Sequence, residues 1–175
     1  MRIKQNLFTA ALGTIAVSMF FLFPASADAQ RVKRSRTVSS AATNAADLKK
    51  GATDVSIQIK NISKFAFVLG GVATGIENID KEVQAGRATS EIKAKNEEFK
   101  SNVRASFQGI RAALVKLEVD FRTKPALKKY LPQIEGIGAQ GMRSEDFAFA
   151  GRFNDGGKEL LLVIEKLADT LQTMP

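Results

Sequence analysis

The fold is decided by residues 45–83, whose sequence is AADLKKGATDVSIQIKNISKFAFVLGGVATGIENIDKEV. Apolar residues recur there at every third or fourth position, and the series is Val55, Ile59, Ile62, Ala66, Leu69, Ala73, Ile76 and Val83, with Asp80 as its one polar member. Phe65, Val72 and Ile79 widen this series into the broad apolar stripe that a core-facing helix requires. The pattern therefore predicts one long amphipathic helix over residues 45–85.

A second long helix follows and must run antiparallel to the first. Gly86 is a suitable C-cap and Thr89 or Ser90 a suitable N-cap, so the chain reverses within a few residues. The predicted second helix covers residues 90–122. Its apolar seam is Ile92, Phe99, Val103, Ile110, Ala113 and Leu117, flanked by Phe107, Leu114 and Phe121, with Asn96 and Ser106 inside it.

The sequence of the C-terminal third predicts a short connecting helix and a third long helix. Pro125 ends the second helix, because the residue before a proline disfavours helical geometry. A short helix over residues 126–131 then leads into a glycine-rich loop, and Ser144 caps a last helix over residues 144–172. Its continuous apolar stripe favours one helix bent at Asp155-Gly156-Gly157, although a turn there would divide it in two. The fold class predicted for residues 44–175 is all-α, an antiparallel bundle of three long helices plus a short connecting helix.

Residues 1–29 have the three parts of a bacterial-type secretory signal peptide. Arg2 and Lys4 supply the positive start, residues 7–23 are apolar, and small residues follow Pro24. We expect cleavage after Ala29 and a secreted or periplasmic product. An uncleaved membrane anchor is the alternative, and the apolar run is near the lower length limit for spanning.

The composition excludes most familiar catalytic machinery. The chain contains no cysteine and no histidine. Thiolate nucleophiles, Ser-His-Asp triads, histidine-bound zinc and c-type haem attachment are therefore all excluded. Ser90-Glu91-Ile92-Lys93 matches the S-x-x-K element of penicillin-recognising enzymes, but the companion elements of that site are missing and a helix cap explains Ser90. We expect no enzymatic activity, no cofactor and no metal site.

A short basic arm follows the signal. Residues 30–43 lack apolar periodicity and predict a disordered linker. The basic residues of this arm are Arg31, Lys33, Arg34 and Arg36, in a chain whose formal net charge is +8. The arm is either a tether to an anionic envelope component, with peripheral membrane contact, or a solvated linker.

A basic stripe on the second helix is the other candidate for contact with anions. Its members are Lys93, Lys100, Arg104 and Arg111, at spacings of seven, four and seven. Glu97 and Glu118 interrupt the stripe, which is more typical of an ordinary solvated face. No aromatic residue interleaves with these charges on the polar face, and this argues against nucleic-acid binding.

The middle of the first helix, residues 65–76, carries no charge and contains the spacing Gly71-x-x-x-Gly75. Small residues four apart allow another backbone to approach closely, so we expect a tight helix crossing in the bundle centre. Insertion of this segment into a membrane is the alternative. Self-association is also open, although a single chain can satisfy such a face.

Three functional hypotheses follow. The first is an exported, non-enzymatic helical bundle that acts by contact with a protein or with an anionic envelope component. The second is a membrane-active protein that inserts residues 65–76. The third is a carrier that holds a small hydrophobic ligand in a cavity near the glycines.

Overall fold

The structure is a computed structural model that describes the backbone of residues 31–175 and the side chains of residues 40–175. Its helices are α1 (Arg31–Gln84), α2 (Ser90–Thr123), α3 (Leu131–Ile134), α4 (Ile137–Phe149) and α5 (Phe153–Thr173), and a 3₁₀ turn at Lys128–Tyr130 precedes α3. Residues 31–175 contain no strand. The predicted all-α class is confirmed, while the predicted signal peptide, 1–29, lies outside the described residues.

The four longer helices form an up-down-up-down bundle. Helix α1 packs against α2 and α5, and α4 packs against the same two helices, so each helix has two neighbours. Neighbouring helices are antiparallel. Asn154, near the start of α5, donates to Glu77 near the end of α1, and the amide of Gly138, near the start of α4, donates to Glu118 near the end of α2. The prediction of three long helices is therefore wrong in number, because a fourth completes the bundle.

The predicted end of the first helix and both predicted ends of the second are confirmed by their caps. Gly86 has φ +71°, and the amides of Gly86 and Arg87 donate to the carbonyls of Val83 and Glu82. This is a Schellman motif, which needs a residue that tolerates the left-handed conformation. The side chain of Thr89 accepts the amide of Ile92 at 3.3 Å, and α2 ends at Thr123, two residues before Pro125.

The core contains the stripe of α1 that the sequence predicts. Val55, Ile62, Leu69, Ala73 and Ile76 are all buried. Val103 and Leu117 of the predicted α2 seam are buried, but the seam is rotated toward the residues predicted to flank it. Phe107, Leu114 and Phe121 are buried, whereas Ile92 and Phe99 are 44% and 42% exposed. The rotation arises because α2 packs on both α1 and α4. The first half of α4 was predicted as a loop, so only the contact with α1 was expected.

The predicted glycine-rich loop and bent last helix are wrong. Residues 137–143, predicted as loop, form the first half of α4. The chain turns at Gly151 instead of at Asp155-Gly156-Gly157, because Gly151 has φ +75° and the amides of Gly151 and Arg152 close a second Schellman motif on Ala148 and Phe147. Ser144 is therefore no cap: it is buried inside α4 and donates to the carbonyl of Gly156 at 2.7 Å.

Helix α1 begins at Arg31, earlier than the predicted start at 45. Residues 30–43 were predicted as a linker, and the helical part of that segment is rich in helix-favouring residues that include Ala41 and Ala42. All side chains from Ser40 to Ala46 are exposed. This first part of α1 therefore extends beyond the packed bundle, and its role as a tether stays a prediction.

Candidate contact surfaces

The predicted basic stripe on α2 is mostly occupied by contacts within the chain. Arg111 pairs with Glu145 of α4 at 2.6 Å, and the Glu145 side chain is only 10% exposed. Arg104 lies against the end of α4 and donates to the carbonyl of Ala148 at 3.4 Å. Of the four residues of the stripe, only Lys93 is exposed and has no side-chain partner among residues 40–175. Two of the four residues of the stripe, Arg104 and Arg111, thus lie against α4, and a role of the stripe in binding anions stays a prediction.

Lys100 belongs to a polar cluster that joins α2 to α1. Its ammonium group contacts Asp80 at 2.7 Å and Glu97 at 2.9 Å. Asn96 is buried and donates to the same Asp80 oxygen at 2.8 Å, whereas Ser106, the other polar residue of the predicted seam, is exposed. Burial by itself would lower the pKa of Lys100, but its bonds to Asp80 and Glu97 outweigh burial and raise that pKa. The cluster fixes the α1–α2 register, because Asp80 is the one polar member of the α1 stripe.

Helix α4 approaches α2 closely because of two glycines. A Cβ added at Gly141 would lie 3.3 Å from the Arg111 Cα, and one added at Gly138 would lie 3.1 Å from Val115. Glu118 accepts the amides of Gly136 and Gly138 at 3.2 and 2.9 Å. A carboxylate at this position satisfies the free amides of a helix start and complements its dipole.

The predicted packing glycines of α1 do not pack against any part of residues 40–175. Gly71 and Gly75 are exposed, and nothing lies within 4 Å of a Cβ placed on either. The close crossings occur instead at Gly138, Gly141, Gly156 and Gly157. Gly71 and Gly75 do not pack because they lie on the side of α1 opposite to the core-facing residues Leu69, Ala73 and Ile76.

Positive charge from two distant parts of the sequence meets at one end of the bundle, which we call the basic end. It consists of Lys49, Lys50, Lys124, Lys128 and Lys129. The two parts touch through Leu127, whose Cδ2 lies 2.6 Å from the position of a Cβ at Gly51. Among residues 40–175, no carboxylate pairs with Lys49, Lys128 or Lys129. This surface is not evident from the sequence alone, although the adjacent pair Lys128-Lys129 is a visible signal.

Asp120 lies beside the basic end and links stability to pH. Burial by itself would raise its pKa, but hydrogen bonds and charges from Lys116 and Lys124 outweigh burial and lower that pKa below 3.8. A lowered folded pKa stabilises the fold fully above pH 3.8, and the contribution is lost as the pH falls through the folded value. We expect Asp120→Asn to reduce the loss of unfolding free energy between pH 5 and pH 2, measured by urea unfolding. An unchanged pH profile in the variant would contradict the assignment.

Two open grooves run between α1 and α5. The one near the middle of α1 has a volume of about 630 Å³ and an apolar lining that includes Ala66, Phe67, Gly70, Leu161 and Ile164. The other, of about 560 Å³, lies nearer the N-terminal part of α1 and includes Leu48, Ile57 and Leu171. The Phe67 side chain is 89% exposed at the rim of the first groove.

The described residues contain neither a membrane-spanning helix nor a cluster of metal ligands. No helix in that part of the chain is both long and apolar enough to cross a bilayer. Within the same residues, no group of three or more metal-ligating side chains is placed to hold an ion.

Comparisons with known proteins identify no similar protein. No family model matches the sequence, and no curated protein or solved structure matches it significantly.

Proposed function

We propose that the chain is an exported, non-enzymatic helical bundle that acts by contact, and that its basic end binds an anionic envelope surface. The observation that carries this proposal is the convergence of Lys49, Lys128 and Lys129, unpaired with carboxylates, at one end of the bundle. Lys129 lies over the Tyr130 ring at 4.7 Å, but none of the three lysines has its charge neutralised by a carboxylate, so that charge stays available to an external anion.

The charge distribution along α1 supports the same orientation. Arg31, Lys33, Arg34 and Arg36 precede Lys49 on the same helix, and a rise of 1.5 Å per residue separates Arg36 from Lys49 by about 20 Å. The opposite end of the bundle carries the exposed carboxylates Glu77, Glu82, Glu91, Glu97 and Glu98. That end also carries Lys81, Arg87, Lys93 and Lys95, so an anionic surface would attract the basic end more strongly than the opposite end.

The proposal is tested by binding to vesicles of anionic phospholipid at low salt, with zwitterionic vesicles and a soluble acidic polysaccharide as further arms. Each basic residue near an anionic membrane contributes about 1 kcal/mol. Replacing Lys49, Lys128 and Lys129 by glutamine should therefore weaken binding about a hundredfold. Binding should also weaken steeply as salt is raised, because exposed charges are screened.

The matched control replaces Lys81, Lys93 and Lys95 by glutamine, which removes the same charge from exposed positions at the other end. We expect only a small loss of binding in this variant. Equal losses in the two triple variants would show attraction by net charge alone and would reject the basic end. Binding to the polysaccharide but not to vesicles would assign the surface to envelope polymers.

The membrane-inserting alternative requires the bundle to open. Leu69, Ala73 and Ile76, within the uncharged segment 65–76, are buried against the other helices. We propose that binding to anionic vesicles is peripheral, and release of a trapped dye would contradict this.

A second candidate function, carriage of a small hydrophobic ligand, is favoured by the larger groove between α1 and α5. Leu161 lines this groove, while the adjacent Leu162 does not, and the two side chains are exposed to a similar extent. If the groove holds apolar molecules, Leu161→Asn should reduce the binding of an apolar fluorescent probe more than Leu162→Asn does. Equal binding of the probe by the two variants would reject the groove as a ligand site.

A further inference from the structure

The outer side of α1 presents an apolar window that no other helix among residues 40–175 covers. Phe67 and Val68 are 89% and 57% exposed, and the space above Gly71 and Gly75 is open. Thr74 is the polar member of the window, and its hydroxyl is already satisfied because it donates to the carbonyl of Gly70 at 2.9 Å. Exposed glycines weaken a helix, so this window lowers the stability of the chain without improving its internal packing.

Opposite charges flank the window symmetrically. Lys64 lies nine residues before Ala73 and Glu82 lies nine residues after it. Their separation of eighteen residues is five turns of an α-helix, so Lys64 and Glu82 lie on the same side of α1. Gly71 and Gly75 lie two residues before and after the same midpoint. Lys64 has no ion-pair partner among residues 40–175.

We propose that two copies of this chain associate through these outer faces, with their α1 helices antiparallel and a two-fold axis near residue 73. An antiparallel pair places Gly71 of one copy against Gly75 of the other, where the missing side chains allow the backbones to approach. It also places each Lys64 opposite the second copy's Glu82. A parallel pair would instead place Lys64 opposite Lys64 and Glu82 opposite Glu82.

The two-fold pattern is the reason for choosing a second copy as the occupant. A symmetric dimer needs a surface that is complementary to itself, and an unrelated partner imposes no such symmetry. Glu82 also contacts Arg87 at 2.7 and 2.8 Å, but both side chains stay exposed, so the carboxylate remains open to a second cation. One helix crossing is smaller than a standard interface, so the association is weak and requires concentrated protein.

The test is sedimentation equilibrium over a wide concentration range. The full chain is expressed, and the protein is used in the form in which the cell yields it. We expect the wild type to show a monomer–dimer equilibrium. Replacing Gly71 and Gly75 together by glutamine should weaken dimerisation at least tenfold. The same double substitution should raise the thermal midpoint of the monomer, because open space surrounds both positions. Opposite effects on stability and association distinguish an interface from a folding defect.

Gly109→Gln is the matched control, because Gly109 is an exposed glycine in the middle of α2 with nothing within 4 Å of an added Cβ. It should raise the thermal midpoint and leave association unchanged. The charge test uses Lys64→Glu and Glu82→Lys, each of which should weaken dimerisation, whereas the two together should restore it.

Three results would overturn the proposal: a wild type that stays monomeric at its highest soluble concentration, a glycine double variant that dimerises as well as the wild type, or a charge-swapped variant that does not recover. Association that is lost in Leu161→Asn but kept in the glycine double variant would also overturn it, because that result assigns the contact to the groove between α1 and α5.

Discussion

Replacing Phe107 by alanine is expected to lower the free energy of unfolding by about 3–5 kcal/mol. Phe107 is 1% exposed, and its ring meets that of Phe65 edge-on, with centroids 5.0 Å apart and an interplanar angle of 89°. The same ring lies against Gly156 of α5. Its removal therefore opens a cavity bordered by α1, α2 and α5. Small domains have a total stability of about 5–15 kcal/mol, so much of the variant should be unfolded.

Phe99→Ala is the control, because Phe99 lies on the same helix but is 42% exposed. Its loss should be much smaller than that of Phe107→Ala, as measured by chemical denaturation. Similar losses in the two variants would mean that Phe107 is not in the core.

Gly156→Ala is expected to destabilise the bundle by about 1–3 kcal/mol, even though alanine has the higher helix propensity. A Cβ at this position would lie 2.8 Å from the carbonyl oxygen of Ser144 and 3.0 Å from the ring of Phe107. The first of these atoms belongs to the backbone of α4 and cannot move aside cheaply. The substitution should therefore force α4 and α5 apart.

Gly109→Ala provides the opposite result, since its added methyl group meets open space and should stabilise the helix by about 1 kcal/mol. Comparing the unfolding free energies of Gly156→Ala and Gly109→Ala separates the effect of helix propensity from the effect of packing. A stabilised Gly156→Ala variant would contradict the close crossing of α4 and α5.

The sequence predicts α1 and the α1–α2 reversal well for clear physical reasons. The apolar stripe of α1 has one period over a long stretch, so Val55, Ile62 and Leu69 could be assigned to the core without knowledge of their partners. Gly86 and Pro125 act through their own backbone geometry, which depends little on the rest of the fold.

The helices after Pro125 were predicted poorly because glycine has two opposite uses. Gly138 and Gly141 are needed where α4 approaches α2, and Gly156 where α5 approaches α4. In a single sequence these glycines are indistinguishable from those of a loop. Gly71 and Gly75 show the reverse error, since a spacing that favours close packing lies on an uncovered face.

The contacts of the basic stripe on α2 with α4 were not predicted, because the first half of α4 was predicted as a loop. Without α4 in the prediction, nothing was available to cover Arg104 and Arg111, and Glu145 had no partner on α2. The basic end was missed because Lys49 and Lys128 are distant in sequence, and only the contact of Leu127 with Gly51 brings them together. Both surfaces depend on tertiary packing, which helical periodicity alone does not contain.

The most direct test of the four-helix arrangement is cross-linking of engineered cysteine pairs, for which the absence of native cysteine makes the chain well suited. The Asn154 amide and the Glu77 carboxylate lie 3.1 Å apart across α5 and α1. A short bifunctional maleimide should therefore link Glu77→Cys to Asn154→Cys within one monomer. It should not link Gly109→Cys to Asn154→Cys, because α2 and α5 are diagonal in the bundle. Efficient linking of the second pair, or failure of the first in folded protein, would contradict the arrangement on which both proposed surfaces depend.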